Sequence, residues 1–281
     1  MKKVTLAIVS VLALGFVNNA KALVVTTTND ASTLAGTILG SGVTISGTPV
    51  FTGHSLSAGT FTDGIASGIG MANGIILTSG HAADAVGPNN NSAKSSSNGF
   101  GGDSQLNTLT GYSTHDTAKL EFDFTTAGGN LFFDYVFASE EYNEWANTAY
   151  SDVFGFFLDG TNIALIPGTG TPVSINNVNG GNPFGTNAHH PEFFNNNAGG
   201  AFNLQYDGFT TVFTAQALGI GAGTHHIKLA IADATDSVLD SAVFIKAGTF
   251  SDTPSNPVPE PATMTLLATG LAGLVWKKRS K

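Results

Sequence analysis

Apolar and polar residues alternate through most of the middle of the chain. In "AKLEFDFTT" (118–126), Leu120, Phe122 and Phe124 fall on one side and Lys119, Glu121 and Asp123 on the other. A period of two is the signature of a strand with one buried face. "NLFFDYVFAS" (130–139) places Leu131, Phe133, Tyr135 and Phe137 together, and "THHIKLAIAD" (224–233) turns Ile227, Leu229 and Ile231 inward. "GIILTSG" (74–80) is a compact apolar run between glycines. "DVFGFFLDG" (152–160) and "TNIALIPG" (161–168) predict a hairpin around Asp159-Gly160. "GFTTVFTAQA" (208–217) and "SAVFIKAGTF" (241–250) complete the set. Helical periodicity is scarce. Strands at this spacing predict an all-β fold: an antiparallel β-sandwich, jelly-roll-like, over residues 23–250. Two polar stretches, 87–105 and 176–203, carry no strand pattern, and loops of that length in a compact domain usually serve function.

The two ends differ from this body. Residues 1–22 have Lys2 and Lys3, then an apolar run from Val4 to Val17, then Ala20-Lys21-Ala22. That order predicts a signal peptide cleaved after Ala22, hence Sec export and a signal peptidase. Residues 251–261 are a proline-rich linker. Ala262 to Trp276 carries no charge, and Lys277, Lys278, Arg279 and Lys281 form a basic end. As a helix this apolar stretch would cover about 22 Å of a hydrocarbon layer about 30 Å thick, marginal for a permanent span. The basic end would stay cytoplasmic.

Val258-Pro259-Glu260-Pro261, the short apolar stretch and the basic cluster resemble the PEP-CTERM sorting signal. The resemblance implies an exosortase as partner and a Gram-negative producer of extracellular polysaccharide. It also implies transient anchoring in the inner membrane by the C-terminal helix, then placement on the outer surface or in the matrix.

Without those ends, four basic residues (Lys94, Lys119, Lys228 and Lys246) face nineteen acidic ones, a net charge of about −15. So acidic a surface repels nucleic acid and anionic lipid and attracts cations. No cysteine is present, so stability must come from the core, or from a core and a metal.

The ordered set "GIILTSG", "GPN", "GD" (Gly102, Asp103) with Leu106, "LEFDF", "YVFASEEYNE", "SDVFGFFLDG", "NIALIPGT", "VSINNVN", "YDGFT", "HHIKLAIADATDSVLDSAVFI" and "AGTF" resembles the choice-of-anchor L family. The resemblance implies a secreted, surface-displayed β module. It implies no reaction and no site residues.

The candidate chemistry is carboxylate chemistry. Glu140, Glu141 and Asp152 lie between two apolar strands, as do Asp233, Asp236 and Asp240. Three readings stay open. A calcium ion takes six to eight oxygens from carboxylates, carbonyls and water, and these six residues are its candidate ligands. A glycan hydrolase needs two carboxyls about 5–9 Å apart, for which Glu140 and Asp240 are the candidates. Acidic residues at strand ends also serve as solvated turns. In a regular strand Glu140 and Glu141 would face opposite sides. His225-His226 and His189-His190 lack zinc spacing, and Ser79 lacks the GxSxG context of a nucleophile. Tyr142, Trp145 and Tyr150 are candidate sugar-stacking rings, and packing under the acidic loop is the slightly favoured alternative for them. The function expected is a non-enzymatic structural or adhesive module associated with extracellular polysaccharide. The alternative is a calcium-dependent carbohydrate-binding module, and a hydrolase stands behind both.

Overall fold

The computed structural model describes residues 21–255. The hydrophobic core of the expected signal peptide, the motif Val258, Pro259, Glu260 and Pro261, and the apolar C-terminal helix lie outside the described residues. Strands are numbered in chain order. One sheet runs β1 (Val24–Thr27), β3 (Ala58–Thr62), β4 (Gly74–Thr78), β13 (Ser241–Lys246), β6 (Leu131–Ser139), β10 (Gly208–Thr210) and β9 (Phe194–Asn196), and β11 (Phe213–Ala217) also pairs with β6. The second runs β2 (Val43–Thr52), β5 (Thr114–Thr126), β12 (Thr224–Ala234), β7 (Val153–Leu158) and β8 (Thr161–Asn162). All these pairings are antiparallel. The two sheets pack as a sandwich.

The inward residues are the ones the alternation names. Leu120, Phe122 and Phe124 meet Leu131, Phe133, Tyr135, Phe137, Ile227, Leu229 and Ile231 in the main core. Aromatic rings fill much of it: Phe133 stands edge-on to Phe156 at 4.9 Å, and Tyr135 to the same ring at 4.9 Å. Edge-to-face pairs add to area burial. A second core covers the outer face of the larger sheet, where Val136, Ala138, Phe244 and Phe61 pack. Strand β6 is therefore buried along both faces, which is why "LFFDYVFA" reads as a continuous apolar run.

Two expected strands are shorter than their sequences suggest. "TNIALIPG" contributes only Thr161–Asn162, because the Asn162 side-chain oxygen accepts from the backbone N–H groups of Phe156 and Ala164 and takes the place of further ladder bonds. The hairpin turn itself stands as expected: Asp159 and Gly160 have φ of 47° and 86°, the left-handed pair that a two-residue turn requires. "GFTTVFTAQA" splits into β10 and β11, both on the same edge of β6, and the Thr210 hydroxyl accepts from Phe137 N–H near the break.

Three short helices have no strong sequence period: α1 (Ala31–Ile38), α2 (Gly64–Ser67) and α3 (Ser104–Thr110). Asp30 caps α1 by accepting from Ser32 N–H. Asp103 caps α3 by accepting from Gln105 and Leu106 N–H. The same Asp103 carboxylate takes the buried Lys228 ammonium at 2.7 Å on each oxygen, so α3 is fixed to β12 over Val153 and Phe157. Removing one partner of a buried ion pair costs about 3–5 kcal/mol. Asp103→Ala is therefore expected to lose that much stability in urea unfolding, and Asp103→Ala with Lys228→Met much less. Equal losses in the two variants would contradict the pairing.

Candidate functional site

Strand ends bring the acidic residues together. Strand β6 stops at Ser139, so Glu140 and Glu141 follow it in irregular backbone, where strand alternation no longer separates them, and both are buried. Ser139 pairs with Ser241 and Gly208, which sets Asp240 and Asp207 beside Glu140 at the starts of β13 and β10. In the other sheet Val153 pairs with Ala232, which sets Asp152 beside the Asp233 end of β12. The two groups meet at one end of the sandwich, where the Ser241 hydroxyl donates to Asp152 Oδ2 at 2.6 Å. A bulge in β5 adds Asp116, with φ 49°.

The polar segment 87–105 is a strap across this end. Asn89 Nδ2 donates to Asp207 Oδ1 at 2.5 Å, Ser96 N–H to Asp240 Oδ1, and Asn98 and Phe100 N–H to the two oxygens of Asp116. The Lys94 ammonium stands 3.1 Å from Asp84 Oδ1. Gly80 lies under Asp240, and a Cβ there would sit 1.8 Å from Asp240 Oδ2. Asp240 thus packs where only a glycine leaves room.

Glu140, Glu141, Asp152, Asp207, Asp233 and Asp240 are all buried, and charge from Asp84, Asp116 and Asp236 bears on them. Of the lysines described, Lys94 alone lies here; Lys21, Lys119, Lys228 and Lys246 pair with carboxylates elsewhere. Several oxygens accept no hydrogen bond: both of Glu140, both of Asp233, and one each of Glu141, Asp207 and Asp240. Gln205 and the Lys94 backbone lie close enough to Glu140 to favour its charge, but neither donates to it with normal hydrogen-bond geometry. Burial, then the charges of Asp207 and Asp240, push Glu140 up to about 9. Burial pushes Asp240 up to about 7 and Asp207 to about 6, against the Ser96 and Asn89 hydrogen bonds. Glu141, Asp152 and Asp233 rise well above the usual carboxylate range from burial first, with repulsion from Asp152 next for Glu141 and Asp233 and a smaller repulsion from Asp240 and Asp236 for Asp152. Asp152 is opposed by hydrogen bonds from Ser241 and Ala234.

Five of the six candidate ligands are thus packed together. Asp236 sits at the rim, half-buried, as a turn residue accepting from Val238 N–H. Asp207 and the strap are absent from the sequence reading of the site. Their signals stood in "YDGFT" and "GPN". Among the described residues, no three acidic or imidazole groups already surround one point at ligand distance. His225 and His226 face Asp159 and Asp123 separately. Tyr142 is fully buried, donates to the Val178 carbonyl and packs on Phe194. It offers no face to a sugar, which rules out the stacking role for this ring and leaves the packing one. Trp145 is 41% exposed and stands edge-on to Tyr150 at 5.0 Å.

Residues 22–251 match the Choice-of-anchor L domain, and residues 257–280 match the PEP-CTERM protein-sorting motif. The chain belongs to the choice-of-anchor L family. No curated protein and no solved structure matches it. The sorting motif marks this choice-of-anchor L protein as an exosortase substrate exported to the cell surface.

The choice-of-anchor L domain should respond to pH through Asp152 and Asp233. Their native affinity for a proton exceeds the unfolded value near 3.9. Stability is then fully present below about pH 4 and is lost as pH rises towards the native values. In chelator, urea midpoints are expected to fall between about pH 5 and pH 8, and Asp233→Asn should flatten that slope. A midpoint that rises over this range would contradict the assignment.

Proposed function

We propose that this exported protein is a non-enzymatic structural or adhesive module of the extracellular polysaccharide layer, delivered there through its exosortase signal. The observation that carries the reading is the sorting motif at 257–280 behind a single β-sandwich. The N-terminal segment would take it through the Sec route, and the C-terminal helix would hold it in the inner membrane until processing releases it to the outer surface or matrix.

Two features favour a non-enzymatic role. Glu140 and Asp240, the pair a hydrolase would use, are 1% and 2% exposed, and the strap bonds Asp240 through Ser96 N–H, so neither is open to a sugar from solvent. A cleft of 180 Å³ beside Leu109, Tyr112, Pro172 and Asn176 has no carboxylate in its lining. Glycoside hydrolysis ordinarily needs two. Of the three candidate stacking rings, the exposed Trp145 with its Tyr150 support is the one best placed to pack on a sugar face.

The test is retention of the full chain on polysaccharide from the producing cells. Retention without release of reducing ends is expected, and Trp145→Ala should weaken it by about tenfold, the scale of an aromatic anchor. Sugar release that stops in Glu140→Gln would contradict the reading. Unchanged cell cohesion after deletion of the whole protein would contradict the adhesive role.

A further inference from the structure

We propose that Glu140 and Asp207 hold a calcium ion beneath the 87–105 strap. The inference is independent of the adhesive reading and rests on unpartnered oxygen. Glu140 is 1% exposed, and neither of its carboxylate oxygens accepts a hydrogen bond. Asp207 is 0% exposed, and its Oδ2 is likewise unpartnered while Asn89 holds Oδ1. Asp240 adds a third charge next to Glu140 and a further unpartnered oxygen. A buried carboxylate without donors needs a counter-charge or a proton. The nearby ammonium, Lys94, is engaged with Asp84.

The donor set selects the ion. It is all oxygen, without cysteine, and the histidines lie against other carboxylates or elsewhere. Hard cations suit such sites. Calcium accepts irregular sets of carboxylate, carbonyl, amide and water oxygens, whereas magnesium demands a near-ideal octahedron. Two carboxylates provide the charge. Asn89 and Asn91, whose side-chain and backbone oxygens accept from the Gln205 amide, bring neutral oxygen to the same place from the strap. An ion there would tie the strap to β6 and β10, which the chain otherwise joins through hydrogen bonds alone.

The neighbouring group of Glu141, Asp152 and Asp233 is a separate matter. Asp152 has donors on both oxygens, from Ala234 and Ser241. The side chains of Asn89, Ser95, Ser96 and Asn98 in the strap bond Asp207, Gln205, Asn197, Leu239, Asp84, the Ser57 hydroxyl and the Ser79 and Gly80 carbonyls, and none bonds Glu141, Asp152 or Asp233. The proposal therefore commits to the Glu140 pocket.

The experiment is a thermal melt of the full chain in EDTA, in calcium chloride and in magnesium chloride, with calorimetric titration of calcium alone. With about 5 mM calcium and an affinity in the range of extracellular modules, the midpoint should rise by about 5 °C, and magnesium should do much less. Glu140→Gln removes a buried carboxyl that, without the ion, must take up a proton to stay buried. It should melt higher than the parent in EDTA and show no calcium shift. Asp233→Asn should keep the shift. No shift in the parent, equal shifts with both metals, or a shift kept by Glu140→Gln and lost in Asp233→Asn would each overturn the proposal.

Discussion

The structure depends on how a fold can bury like charges without burying opposite ones. Two unit charges about 6 Å apart at an effective dielectric near 20 repel by about 3 kcal/mol. A domain is stable by only about 5–15 kcal/mol, so three such pairs would consume much of that margin. Seven carboxylates, Asp116 among them, are buried at one end of this sandwich, and one lysine is near them. They cannot all be charged and uncompensated. Hydrogen bonds from the strap, protons, or a cation must share the compensation. The strap serves Asp116, Asp240 and one oxygen of Asp207 and leaves Glu140 without a donor.

The rest of the fold is built to hold that end. Two aromatic-rich cores fix β6 from both faces, so the point where β6 stops is set by the core. The pairing of Ser139 with Ser241 and Gly208 then places Glu140, Asp240 and Asp207 side by side through backbone register. The Lys228–Asp103 pair anchors the C-terminal end of the strap through α3.

Much of this was legible in the sequence. The alternation of Leu120, Phe122 and Phe124, and of Leu131, Phe133, Tyr135 and Phe137, named the core, and Asp159-Gly160 named a turn. The acidic groups at 140–152 and 233–240 were visible because no basic residue interrupts them. What was not legible depends on long-range pairing. Asp207 is one acid in a strand motif, and only the register of β10 on β6 brings it to Glu140. The strap reads as a polar loop because its order comes from side-chain bonds to distant carboxylates rather than from local periodicity. Tyr142 could be read either as a stacking ring or as packing under the loop, and only the turn of the chain under Phe194 once β6 has ended decides it. The helices α1 and α3 are too short to show a period and are set by single capping aspartates.

The central claim is that compensation of buried carboxylates holds the strap down, and that calcium completes it. Hydrogen exchange of the backbone amides from Asn89 to Phe100, with calcium and with chelator, reads this most directly. The account predicts slowed exchange across the strap on adding calcium, with the inner strands unchanged. Exchange rates in the strap that are the same in both conditions would contradict it.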